Sequence, residues 1–179
     1  MLTIAPADAT EMRCNAIFEA LMWSMARPGE ARTLPEPGLA GLIETLVDIE
    51  CAVFADDVAL RERVLHTGAL IAESPADADH VFLTSLDNAE TLLPMLRRGS
   101  ALYPDDGATL AVNATHGRGH RLRLTGPGIE GARDVTLGVS PAFWALREQV
   151  CIYPEGFDLL LVDGDAVIGV PRSTKVEVL

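Results

Sequence analysis

The chain carries a series of short, largely unbroken apolar runs: Cys51-Ala-Val-Phe-Ala55, His80 to Thr84, Thr109 to Thr115, Phe157 to Val162 and Ala166 to Val170. A strand with a solvated face alternates apolar and polar residues. A run without that alternation has to be covered on both sides, as in the parallel sheets of α/β proteins. Helical periodicity fills much of the sequence between them. Ile17, Ala20, Leu21, Ser24 and Met25 repeat at helical spacing from Asp8 to Ala26, and Asp8 with Glu11 forms a capping-box pattern. Arg27-Pro28-Gly29 ends that helix. Leu39, Leu42, Ile43 and Leu46 mark a second helix from Leu39 to Val47. The pattern predicts a layered α/β domain with a mixed sheet, spanning residues 1–179 as one unit.

Further elements follow from local signals. Asp56-Asp57 caps a helix to about His66, and a strand is expected at Ala69 to Ala72. Thr91 to Arg98 is expected as a short helix, with Pro94 in its first turn and Gly99 as its stop. His120 to Thr125 alternates Arg and Leu and reads as a strand, with Val135 to Gly138 another. Pro141 opens a helix to about Val150. Asp163-Gly164-Asp165 joins the last two long runs as a hairpin, and Thr174 to Val178 is a short C-terminal strand.

Composition removes several function classes. Apolar residues make up 49% of the 179, which opposes disorder. No apolar run approaches the roughly 20 residues of a membrane helix, and the first eight residues show no secretory leader, so a cytoplasmic protein is expected. The net charge of −12 repels nucleic acid and anionic lipid. The cations are 13 arginines and one lysine, Lys175. Cys14, Cys51 and Cys151 lack the spacing of a disulfide framework or a metal site and are expected to be buried free thiols.

The familiar catalytic motifs fail on context. A P-loop needs Gly-Lys, and Lys175 follows Thr174. Gly117-Arg118-Gly119 lacks the third glycine of a dinucleotide fingerprint and is read as a loop. No serine sits in G-x-S-x-G. His116 and His120 have zinc-helix spacing, but Gly-Arg-Gly between them would not hold a helix, so no metal site is assigned. A pyridoxal phosphate aldimine would require Lys175, in the short terminal strand. No catalytic residue and no cofactor is assigned.

Four segments together are more specific. They are Phe18-Glu-Ala-Leu-Met-Trp-Ser-Met-Ala-Arg-Pro-Gly29; Leu96-Arg-Arg-Gly-Ser-Ala-Leu-Tyr-Pro-Asp-Asp-Gly-Ala-Thr-Leu110; Leu122-Arg-Leu-Thr-Gly-Pro-Gly-Ile129; and Pro154-Glu-Gly-Phe-Asp-Leu-Leu-Leu161 running on to Val170-Pro-Arg-Ser-Thr-Lys-Val-Glu-Val178. In order and spacing, from about Ala9 to the C-terminus, they resemble the PhnH family, a subunit of the bacterial carbon–phosphorus lyase system. Cys51 and Ser173 stand where threonine is usual in the family, and Phe157 where isoleucine is common.

The resemblance implies an accessory part in phosphonate catabolism rather than catalysis by this chain alone. The family forms homodimers and joins a core complex with three other types of subunit. With an ATP-binding partner, that machinery couples a phosphonate to the ribose of a nucleotide, giving a ribose 1-phosphonate 5-triphosphate. A radical iron–sulfur subunit then cleaves the carbon–phosphorus bond. The resemblance also implies three layers, α/β/α, about the mixed sheet, in the fold of pyridoxal-phosphate-dependent transferases without their cofactor site. The alternative reading is a stand-alone small-molecule enzyme, or an anion-binding homodimer with an arginine pocket. For a phosphonate or nucleotide ligand the candidate contacts are Arg27 and Arg172, as bidentate donors, and backbone amides of Gly126 and Gly128. Each has a plainer reading. Arg27 is then a charge at a helix C-terminus, Gly126 to Gly128 a strand-ending turn, and Arg172 half of an internal ion pair.

Overall fold

A computed structural model describes residues 6–179; the first five, on which part of the leader expectation rests, lie outside them. The elements run α1 (Ala9–Ala26), β1 (Ala31–Thr33), α2 (Ala40–Leu46), β2 (Ala52–Ala55), α3 (Val58–Thr67), β3 (Leu70–Ile71), β4 (His80–Leu83) and α4 (Ala89–Leu92). They continue with β5 (Thr109–Asn113), β6 (His116–Thr125), β7 (Arg133–Leu137), α5 (Pro141–Val150), β8 (Asp158–Asp163), β9 (Ala166–Val170) and β10 (Lys175–Val178). Among the described residues no helix is long and apolar enough to cross a membrane.

Local chemistry sets the helix ends. The Asp8 carboxylate accepts from the Glu11 amide at 2.8 Å, and the Glu11 carboxylate accepts from the Asp8 amide at 2.9 Å, closing the capping box on α1. Asp57, not Asp56, caps α3 by accepting from Ala59 N at 2.8 Å. Asp56 instead accepts from the amide and hydroxyl of Thr84. Gly68, at φ +84°, ends α3 in the left-handed conformation.

The apolar runs form the centre of a seven-stranded sheet in the order β1-β9-β8-β5-β4-β2-β3. From β8 to β3 the pairing is parallel, while β9 is antiparallel to β8 and β1 to β9, so the sheet is mixed. Its strands are buried on both faces. Val81, Leu83, Leu110, Val112, Leu159 and Leu161 enter one core, whereas Phe82, Ala111, Leu160 and Val162 enter the other. The second core is closed by Ile17, Ala20 and Leu21 of α1, Leu42 and Ile43 of α2, and Val64 of α3. The first is closed by α4, α5 and a three-stranded antiparallel sheet, β10-β6-β7. One outer layer is therefore helical, and the other is shared between helices and a second sheet.

Three local expectations are corrected. The helix expected over Thr91 to Arg98 starts earlier and breaks: α4 ends at Leu92 and a 3₁₀ turn covers Leu93–Met95. Pro94 has no amide to continue the ladder, and Leu93 and Leu96 are drawn into the core. The Gly117-Arg118-Gly119 segment is not a loop but part of β6. Both glycines adopt positive φ in a bulge that sets His116 and His120 opposite the same residue, Leu137. The three cysteines are free but only half-buried. The edge strand β1 carried no apolar signal, because only Arg32 of its three residues is even partly covered.

Helix α1 lies directly on β9. A Cβ at Gly169 would stand 2.6 Å from the Ser24 carbonyl oxygen and 2.9 Å from the Met25 nitrogen, which are helix backbone and have little freedom to yield. Gly169→Ala is expected to destabilise the protein by about 2 kcal/mol, read as a lower midpoint in chemical denaturation with an unchanged slope.

Candidate functional site

The residues singled out from the sequence lie along one seam. Arg27 follows the end of α1, exposed, its guanidinium 5.6 Å from the centroid of the Trp23 ring. Gly128 packs against the Ala26 carbonyl at the same helix end, and a Cβ on Gly126 would stand 3.0 Å from the Ser173 carbonyl. The Gly126-Pro127-Gly128 turn thus bridges the end of α1 to the Pro171-Arg172-Ser173-Thr174 link between β9 and β10. Both glycines hold positive φ, 134° and 80°, and both use their missing side chains to admit backbone. The structure does not bring all four residues to one cavity: Arg172 lines one, and Arg27 stands apart over Trp23.

Arg172 is an internal brace. Its amide and guanidinium donate to the Asp158 carboxylate, at 2.8 Å from N and 2.7 Å from Nη2, and Nη1 donates to the Pro104 carbonyl. Asp158 is the first residue of β8, so this fork ties the β9–β10 link to the start of that inner strand.

The cavity beside Arg172 measures about 290 Å³. Its walls include Trp144, Arg147, Glu148 and Cys151 of α5 or its end, Tyr153, and the stretch from Arg172 to Val176. The local sequence explains α5: Ser140 caps it by accepting from Phe143 N at 3.1 Å, and Pro141 occupies its first position. Phe143, Trp144, Arg147 and Val150 form its buried face, so a guanidinium stands in an apolar stripe. Arg147, 3% exposed, donates to the carbonyls of Pro171 at 2.7 Å, Thr174 at 3.1 Å and Val170 at 3.4 Å. Burial pushes its pKa down from the ordinary arginine value, with Cys151 and Asp158 pulling it back. It forms no ion pair among the described residues. Sequence reasoning passed over Arg147. The available signal was its position three and four residues beyond Trp144 and Phe143, on a helix face that otherwise reads as core.

Three buried polar atoms of residues on this wall have no hydrogen-bond partner among the described residues: Trp144 Nε1, Arg147 Nε and Thr174 Oγ1. An orphaned buried group costs about 1–3 kcal/mol, so three together are a concentrated cost.

A second crevice follows the carboxyl ends of the parallel strands, where open α/β sheets take ligands. One part, about 570 Å³, is lined by Thr84, Ser85, Asn113, Thr115 and Asp163 among others. An adjoining part of about 360 Å³ shares Ser85 and adds Asp56, Arg61 and Thr91. Beside it, His116 places Nε2 3.2 Å from the Leu161 carbonyl, and its amide donates to Asp163 at 2.7 Å. Burial lowers the His116 pKa more than Asp163 and the Leu161 carbonyl raise it, and burial likewise lowers that of His80.

Fold and cavities together define a layered α/β domain with an arginine-lined cavity between α5 and the link to its second sheet. Its relatives are proteins of phosphonate metabolism. A family model described as "Bacterial phosphonate metabolism protein (PhnH)" matches residues 7–177, and the chain belongs to that family. It is 32% identical to "Putative C-P lyase subunit protein HtxG" of Stutzerimonas stutzeri, with 98% of this chain and 94% of that one aligned. It is 29% identical to "Alpha-D-ribose 1-methylphosphonate 5-triphosphate synthase subunit PhnH" of Rhizobium meliloti, with 91% and 90% aligned.

Two outcomes follow from this geometry. Arg172→Met keeps the backbone amide's hydrogen bond to Asp158 Oδ1 but leaves Oδ2 and the facing carbonyls without the guanidinium, and is expected to cost about 2–3 kcal/mol in equilibrium unfolding. Arg172→Lys is expected to recover little of it, because an ammonium cannot reproduce the fork. A histidine whose folded pKa is depressed contributes stability above its unfolded pKa of about 6.5 and loses it as pH falls below that value. Unfolding midpoints are therefore expected to drop between about pH 7 and pH 5, with a shallower drop in His116→Gln.

Proposed function

We propose that this chain is an accessory subunit of the bacterial carbon–phosphorus lyase system, acting through assembly in the complex that couples a phosphonate to nucleotide ribose. The observation that carries the reading is the family match from residue 7 to residue 177, together with a relative whose name makes it a subunit of a ribose 1-methylphosphonate 5-triphosphate synthase. In this reading the chain is one cytoplasmic domain that pairs with a second copy when isolated and joins the other core subunits in the cell. Its fold corresponds to that of pyridoxal-phosphate-dependent transferases stripped of the cofactor site.

One feature of the molecule supports an assembly role. Helix α1 buries Ile17, Ala20 and Leu21, yet leaves Phe18, Met22 and Trp23 between 45% and 57% exposed on its outer face. Apolar side chains of this size grouped on one exposed surface are what subunit contacts use. Arg27, in the set proposed for ligand contact with Arg172, Gly126 and Gly128, stands beside Trp23 and extends that face with a cation.

The test is purification of the tagged chain from cells expressing the other core subunits. Co-elution in fixed ratio is the expected result. Turnover of a phosphonate and a nucleotide by the isolated chain would overturn the accessory reading. Met22→Glu with Phe18→Glu is expected to weaken co-elution by more than about tenfold, while circular dichroism and thermal midpoint stay near those of the parent.

A further inference from the structure

We propose that the cavity between α5 and the 171–176 segment binds a small tetrahedral oxyanion of the phosphate or phosphonate class, with Arg147, Lys175, Trp144 and Thr174 as its donors. The donor set is the first argument. Trp144 Nε1 and Arg147 Nε can only donate, and the Thr174 hydroxyl can donate as well. All three are buried without a partner on the wall of this one cavity, in residues only 2–3% exposed. A tetrahedral anion presents acceptors in several directions, which a single water or a carbonyl does not. The three atoms are covered by their neighbours, so contact with them requires a local shift of the wall.

Charge is the second argument. The cavity wall carries Arg147, Arg172 and Lys175 against Glu148. Arg172 is neutralised by Asp158 at 2.7 Å. Arg147 is held by carbonyls alone and has no carboxylate in ion-pair contact among the described residues. Other cations without an ion pair among the described residues, such as Arg27, Arg61 and Arg118, are not buried, whereas Arg147 is 3% exposed, and a poorly solvated charge attracts an anion most strongly.

Size limits the occupant. A volume of about 290 Å³ lies at the low end of small-molecule pockets, roughly 300–1,000 Å³. It accommodates an oxyanion with a short substituent and is too small to enclose a whole nucleoside triphosphate. The inference stands on this donor set and does not depend on the assembly role.

The test is calorimetric titration of the full chain with inorganic phosphate, with methylphosphonate and with ATP, against chloride at matched ionic strength. Saturable binding of the first two, one per chain, is expected. Lys175→Met is expected to weaken it by about tenfold with the fold unchanged. Thr174→Val removes an orphaned hydroxyl, so it should raise thermal stability while weakening the anion by a similar factor; a merely structural Thr174 would not split the two readouts. Trp144→Phe is expected to weaken binding severalfold. Heats equal to those of chloride, or affinities unchanged in Lys175→Met and Thr174→Val, would overturn the site. Tighter binding of ATP that is lost in the same variants would overturn the size limit.

Discussion

The last crossing between the two sheets, from β9 to β10, takes four residues, Pro171 to Thr174, and two guanidiniums hold them. Arg147 reaches from α5 to the carbonyls of Val170, Pro171 and Thr174. Arg172 reaches from within the link to Asp158 at the head of β8 and to the carbonyls of Pro104 and Gly107. A connecting segment that runs partly under cover has backbone carbonyls that need donors. A planar cation with five N–H groups supplies them from three nitrogens in a fixed fork, whereas a lysine offers three from a single point. The near-exclusive use of arginine as the basic residue suits this task.

Carboxylates occupy many of the other arginines, sometimes two at a time. Arg13 and Arg63 share Glu44, and Arg121 and Arg123 share Asp134 across the antiparallel pair β6–β7. Arg133 joins Glu30 and the Pro28 carbonyl and so fixes the turn after α1 to the second sheet. Against that background Arg147 stands out, because it is buried and its charge meets carbonyl dipoles and no carboxylate in ion-pair contact among the described residues. A fold that concentrates orphaned donors around such a charge is arranged toward something that accepts hydrogen bonds.

Much of the fold was legible because its signals are local. The capping box at Asp8 and Glu11, Pro141 at the start of α5, and the turn between β8 and β9 each act within a few residues and survived into the structure. Thr91 to Arg98 misled because a helix over that span sets Pro94 in its first turn, whereas the helix starts at Ala89 and has ended by Leu92, and burial of Leu93 and Leu96 goes with a 3₁₀ turn instead. Gly117-Arg118-Gly119 misled in the opposite sense. Glycines that read as a loop supply the positive φ of a bulge, and the partner strand β7 makes that segment a strand. Of the candidate site, Arg172 and its motif were visible, but Arg147 was hidden within a helix face that reads as core.

By itself the sequence determined the order and type of most elements, the double-sided burial of the central strands, and the resemblance to a phosphonate-metabolism family. Those properties follow from caps, periodicity and motif spacing, whose interactions span few residues along the chain. Tertiary structure alone decided the strand order, the second sheet's place over the first core, and the fate of each arginine. The reason is distance along the chain. Arg172 meets Asp158 across 14 residues, Arg147 meets Thr174 across 27, and Arg133 meets Pro28 across 105. Which guanidinium is neutralised and which is left seeking an anion depends on partners that no local pattern names.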